Sequence, residues 1–216
     1  MKMPSLEVQL AQELVAKGAH PRDIAYATAN IPQEFWDIKR SDINKHIGNN
    51  RAYLDVCDYV DHLSERISQG RGVTLIGAAK TGKTMFGCAI LKSAAIDPGT
   101  LMRRYRVWRG NYDTILDDLL FLKGESEYAE LKNILASYDI LFIDSVSLTP
   151  PTSTLLSILR TRRDHRKSTF LATSVPPDQV QTSRIIEMFS IFSDVNKQWL
   201  LKTEAQAAKE EKEKAE

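Results

Sequence analysis

The chain has 216 residues, 43% of them hydrophobic, and a formal net charge of +1. This length allows one substantial core and leaves little room for a second full domain, while the near-zero average charge leaves any polyanion contact to local clusters. No basic segment followed by an apolar core opens the sequence, and no apolar run approaches the about 20 residues of a bilayer span, which points to a cytoplasmic protein with no membrane partner.

In chain order, Leu6, Leu10 and Leu14 repeat every fourth residue between Ser5 and Lys17, the stripe of an amphipathic helix ended near Gly18. Residues 1–30 are thus expected to form a short helical extension, with the core beginning at Ile31-Pro32 and running to residue 202. A second helix is expected through Tyr53, Val56, Cys57, Val60, Leu63 and Ile67, stopped by the segment Gln69 to Gly72. Cys57 and Cys88 lie far apart in apolar helical patterns and read as buried thiols in a reducing compartment; a zinc site needs more ligands. After Gly72 the texture changes to short apolar runs separated by helical segments. The expected strands are Val73 to Ile76, Leu101 to Trp108, Ile140 to Ile143, Thr169 to Ala172 and Ser190 to Phe192. Helices are expected to start at Lys83, Tyr112, Tyr128, Thr152 and Pro177. The alternation predicts an α/β fold around a parallel sheet buried on both faces. From Thr203 to Glu216 nothing apolar larger than Ala occurs, so this end reads as a charged tail, disordered or a frayed helix.

Gly77-Ala78-Ala79-Lys80-Thr81-Gly82-Lys83-Thr84 fits the phosphate-loop pattern G-x-x-x-x-G-K-[ST], directly after a predicted strand and before a predicted helix that continues through Met85. Glycines there let successive N–H groups curl around phosphates at a helix N-terminus, where the dipole favours anions. Lys83 is expected to reach the β- and γ-phosphates of ATP, and Thr84 to offer its hydroxyl to Mg²⁺. Ile140 to Ile143 followed by Asp144 supplies the second acidic element, a carboxylate that holds Mg²⁺ directly or through water. Many ATPases carry a further acid after it to orient the attacking water; here Ser145 stands in that place and lacks the basicity. Thr173 and Ser174 end another predicted strand at the same sheet edge. They either sense the γ-phosphate or begin the turn before Pro176-Pro177.

Two clusters are basic. Arg103, Arg104, Arg106 and Arg109 flank Tyr105 and Trp108, either as a contact for single-stranded DNA or as solvated arginines on an edge strand. Arg160, Arg162, Arg163, Arg166 and Lys167 end a helix, where cations suit the dipole, and some of their charge is open to a nucleotide or DNA.

With these residues in place, the stretch from Ile31 to Leu201 resembles the DnaC/DnaI helicase loaders and their IstB relatives, AAA+ ATPases without the usual C-terminal lid. The resemblance rests on Ile31-Pro32 with Phe35 ahead of a helix, on the phosphate loop, on the run to Asp144, and on Leu159 to Ser174 with its arginines and its threonine-serine ending. It implies a five-stranded parallel sheet, ATP held between self-associating subunits, and the placing of a hexameric replicative helicase on single-stranded DNA, gripped by residues 1–30. It also marks Arg184 as a candidate arginine finger reaching a neighbouring subunit's ATP, against the alternative of a plain surface arginine. The short chain suggests a phage-encoded form. Ser145 and Val175 depart from the family pattern, which expects a second acid and an asparagine. Other readings remain: an IstB-like transposition helper acting on duplex DNA, a nucleotide-gated adaptor that hydrolyses little, and a small-molecule kinase.

Overall fold

Five apolar segments pair side by side, all in parallel, in a computed structural model that describes residues 6–39, 50–97, 99–124 and 126–201. They are β1 (Val73–Gly77), β2 (Val107–Asn111), β3 (Ile140–Val146), β4 (Ser168–Thr173) and β5 (Lys197–Leu201), in the order β2-β3-β4-β1-β5. Successive side chains of a strand point to opposite faces, so the sheet needs cover on both. On one face Leu75, Phe142, Phe170 and Trp199 pack with Phe86, Ile90 and Leu91 of α5 (Lys83–Ala95) and with α3 (Asn50–Asp61). On the other, Leu141, Ile143 and Leu171 pack beneath α6 (Tyr112–Phe121), α7 (Ser126–Ser137) and α8 (Ser153–Asp164). Gly87 of α5 sits against the Phe142 ring so closely that a Cβ there would lie 2.2 Å from it.

The expected α/β fold and five-stranded parallel sheet are present, with four corrections. The second strand starts at Val107, not Leu101. Asp97 Oδ1 accepts from the N–H groups of Gly99 and Thr100, Leu101 has a φ of 57°, and the N–H groups of Arg104 and Tyr105 donate to Ala95 and Ala94, so this stretch caps α5 instead of extending the sheet. Ser190 to Phe192 is no strand: Ile185, Met188, Phe189 and Phe192 are buried at helical spacing along and around α10 (Ile186–Ile191), and β5 follows with Trp199 and Leu201 inward. The expected single helix is two, α3 and α4 (Leu63–Ser68), interrupted at His62. A helix unforeseen in the sequence, α2 (Pro21–Thr28), follows α1 (Leu6–Ala16) after Gly18, with Pro21 in its first turn and His20 Nδ1 accepting from Arg22 N–H at its N-terminus. The tail from Thr203 to Glu216 and the first five residues of the extension lie outside the described residues.

Behind α2 the chain reaches the open side of β2. Arg109 N–H donates to Ala29 O (3.0 Å), and Asn30 Nδ2 donates to Arg109 O (2.7 Å). These bonds cover an edge strand that has β3 only on its other side. Cys88 is buried, which pushes its thiol up to about 12, and Cys57 is half-buried; both are free thiols. Among the described residues no helix is long and apolar enough to cross a membrane.

Candidate nucleotide site

The loop between β1 and α5 is shaped by two left-handed residues, Lys80 (φ 64°) and Gly82 (φ 85°). Gly82 takes that conformation without the Cβ clash that penalises other residues, and so aims the start of α5 back over the strand end. Phe86 N–H bonding to Gly82 O is the first helical hydrogen bond. The N–H groups of Lys83, Thr84 and Met85 therefore precede the intrahelical ladder and carry the positive end of the helix dipole. Gly77 lies so close to Leu201 that a Cβ there would stand 2.5 Å from its carbonyl oxygen. Ala78, Ala79 and Lys80 are exposed, Thr81 is buried with its hydroxyl donating to Ala78 O (2.9 Å), and the Met85 side chain packs at the edge of the core.

Lys83 folds back over the loop, donating to Gly77 O (2.7 Å) and Ala78 O (2.6 Å). Burial lowers its pKa, and the nearby Asp144 carboxylate opposes that shift. Asp144 is 1% exposed. Its Oδ1 accepts from Ser145 N–H (2.9 Å), and its Oδ2 accepts from the Thr84 hydroxyl (2.8 Å). The structure thus joins two residues 60 positions apart that the motif reading assigned to one metal.

A β-bulge fixes this corner. Ile143 pairs with Leu171 and Val146 with Thr173, so Asp144 and Ser145 together oppose Ala172 alone. Ser145 adopts a φ of 59° and is exposed, while Ile143 and Val146 both enter the same core cluster. Thr173 is fully buried; its hydroxyl donates to Val146 O (2.7 Å) and accepts from Val175 N–H (3.0 Å), which commits it to joining β3 and β4 across the bulge and to starting the turn. Ser174 is exposed beside it. Arg184 lies exposed in the turn between α9 (Pro177–Thr182) and α10, away from the loop in sequence and free to face outward.

Sequence reasoning missed one participant in this site. Arg109 Nε and Nη2 both donate to Asp144 Oδ2, at 3.1 and 2.7 Å. Strand alternation carried the signal: Arg109 shares a face with Val107, which packs in the α5-side core, whereas Trp108 turns the other way and stacks on Tyr138. The first basic cluster is thereby divided. Arg104 donates to Ser64 Oγ, Arg106 lies over the Tyr138 ring, and Arg109 belongs to the nucleotide corner. The second cluster is corrected too, since much of it is internally paired. Arg160 bonds Glu187, Arg163 bonds Asp194 and Lys167 bonds Asp139, while Arg162 is 0% exposed.

A parallel sheet with this loop after β1 and an acid at the end of β3 defines a P-loop NTPase fold of the AAA+ type. No protein-family model and no curated protein matches the sequence. Among solved structures, the chain is similar to the DnaC helicase loader, with 19% identity over 79% of this chain and 99% of that one and a TM-score of 0.64. It is similar to DnaI, with 15% identity over 79% and 94% and a TM-score of 0.61. A third likeness is the replication initiator DnaA bound to AMPPCP and single-stranded DNA, with 21% identity over 75% of this chain, 49% of that one, and a TM-score of 0.58. At these identities the likeness is one of fold.

Proposed function

We propose that the chain binds ATP with Mg²⁺ at Gly77, Ala78, Ala79, Lys80, Thr81, Gly82, Lys83, Thr84 and Met85 together with Asp144, and serves DNA replication as a helicase loader that places a hexameric replicative helicase on single-stranded DNA. One observation carries the nucleotide half: Lys83, the first turn of α5 and the Thr84–Asp144 contact of 2.8 Å converge at one sheet edge. On binding, Lys83 would exchange the Gly77 and Ala78 carbonyls for the β- and γ-phosphates, and the N–H groups of the loop would cradle them. Thr84 and Asp144 offer two hard oxygen donors, and among the described residues no three His, Cys, Asp or Glu side chains converge. That sparse set suits Mg²⁺, which takes few protein ligands and fills its shell with phosphate oxygens and water. Held by Thr84 and Asp144, Mg²⁺ would supply neutralisation of phosphate charge.

The replication half rests on the likeness to DnaC, DnaI and DnaA. Within it, residues 1–30 take the helicase, residues 31–202 form the ATPase unit, and Arg184 acts across an ATP-dependent contact between copies. A second reading, the nucleotide-gated adaptor, is favoured by Ser145. General-base assistance supplies about 10²- to 10⁴-fold in rate, and the residue after Asp144 is a hydroxyl on an exposed bulge. Hydrolysis is accordingly slow, and ATP occupancy sets the state. Two measurements test the proposal: ATP affinity of the wild type against Lys83→Ala, and retention of purified replicative helicase with and without ATP. Equal affinities would defeat the site, and a helicase retained in neither state would defeat the loader. Brisk turnover unchanged in Ser145→Ala would defeat the adaptor.

A further inference from the structure

The side chain that grips Asp144 belongs to no phosphate-binding motif. Arg109 is the third residue of β2, opposite Phe142 on β3 and two residues short of the register position that faces Asp144. Its side chain is 17% exposed and that of Asp144 is 1% exposed, so the pair meets where water screens charge poorly and a two-donor contact to a carboxylate is strong. Both bonds fall on Oδ2, the oxygen that also receives Thr84, and hence the oxygen through which a divalent cation beside Thr84 would be held. The backbone of Arg109 is fixed from outside by Ala29 O and the Asn30 side chain. Movement is left to the guanidinium arm alone.

We propose that Arg109 is the resident counter-cation of Asp144 and sets the metal dependence of nucleotide binding. The inference rests on the nucleotide-site reading above. Arg109 occupies the Asp144 oxygen that, beside the Thr84 hydroxyl, would hold a divalent cation, so its guanidinium would compete with that cation. A nucleotide without metal finds the carboxylate already neutralised, so Arg109 spares its phosphates a like charge at close range. Both effects have one sign. Removing the guanidinium strengthens binding with Mg²⁺ and weakens binding without it, so the ratio of the two affinities rises, by about tenfold or more for a charge-assisted contact of this kind.

The test measures binding of a fluorescent ATP analogue to the full chain, as wild type, Arg109→Gln and Arg109→Lys, each with Mg²⁺ and with a chelator. The ratio of affinities should rise at least about tenfold in Arg109→Gln, with Arg109→Lys between, because lysine keeps the charge and loses the two-donor geometry. A folded Arg109→Gln that binds nucleotide with the wild-type ratio overturns the proposal and leaves the site reading intact. Binding that Lys83→Ala does not weaken removes the site reading and the inference with it. Should Arg109→Gln fail to fold, the wild type still decides. With ¹⁵N-labelled arginine, the Arg109 Nε–H resonance, identified by its loss in Arg109→Lys, should move when a nonhydrolysable ATP analogue is added with Mg²⁺ and hold its place when the analogue is added alone. A resonance indifferent to Mg²⁺ overturns the proposal.

Discussion

Two arginines at opposite ends of the sheet are withdrawn from water in different ways. At the N-terminal ends of the strands, Arg162 donates to Thr169 Oγ1, to the carbonyls of Leu135, Ala136 and Tyr138, and to Ser168 O, at distances from 2.6 to 3.3 Å. Burial pulls its pKa down to about 9, opposed by the Asp139 charge, so it remains a cation at neutral pH. At the C-terminal ends, Arg109 is held by one carboxylate oxygen and is partly open to solvent. Carbonyls spread over several elements make a joint that nothing else can occupy as well. A single carboxylate makes a contact that another cation can take. The difference between a structural and an exchangeable arginine thus lies in the acceptors, and burial alone does not reveal it.

The comparison breaks first at Arg162. Arg162→Met leaves several buried acceptors unpartnered and should cost about 3–5 kcal/mol in denaturant unfolding; a loss under about 1 kcal/mol would show that the joint carries little. Lys83→Ala comes next, with ATP affinity reduced about 100-fold or more, equivalent to about 2.7 kcal/mol, and a nearly unchanged melting temperature because the loop carbonyls it leaves can reach water. Asp144→Asn keeps the size and, with its amide oxygen at the Oδ2 position, an acceptor for Thr84 and Arg109, but it removes the carboxylate charge and sets an NH2 against Ser145 N–H. It should cost about 1–2 kcal/mol of stability and erase the advantage of Mg²⁺ in nucleotide binding, which the same affinity titrations read. The smallest effect is expected at Lys167→Met. Burial raises the pKa of Asp139, yet the hydrogen bonds from Lys167 Nζ and Arg106 N–H outweigh it and hold the carboxyl below its ordinary value. A lowered folded-state value stabilises above the unfolded carboxylate's pKa and loses that contribution as pH falls through the folded one. The pair is about one-third exposed, so the variant should lose under about 1 kcal/mol at pH 7 and nothing once Asp139 is protonated in acid. An equal deficit at both pH values would exclude the ion pair as the cause.

The loop between β1 and α5 and the place of Asp144 in β3 were legible because each combines a local motif with a buried strand, and both halves lie in contiguous residues. The strands β1, β3 and β4 were legible as short, mostly apolar runs. What failed has a common cause. Around Leu101 the backbone donors go to the end of α5, and at Ser190 to Phe192 an apolar run serves a helix face; neither partner is visible in a window of a few residues. Arg162 read as one cation among five because nothing local distinguishes an arginine whose acceptors come from other elements. Arg109 was hidden by its neighbours, since a string of arginines suggests a surface, and only alternation counted from Val107 places it inward.

The bonds from Ala29 and Asn30 to Arg109 also have a temporal consequence. The Asn30 bond joins residues 79 positions apart, and at about 5–20 residues per second of synthesis the N-terminal partner leaves the ribosome about 4–16 s before the strand it meets. The segment that seals the sheet is therefore finished before the sheet has an edge to seal. When β2 emerges, the partners of its Arg109 N–H and C=O have already been synthesised, which should shorten the time for which that edge is open to other chains. A chain beginning at Ile31 would make the same strand with nothing waiting for it, and its first deficit would be in yield of soluble protein, ahead of any change in what it binds.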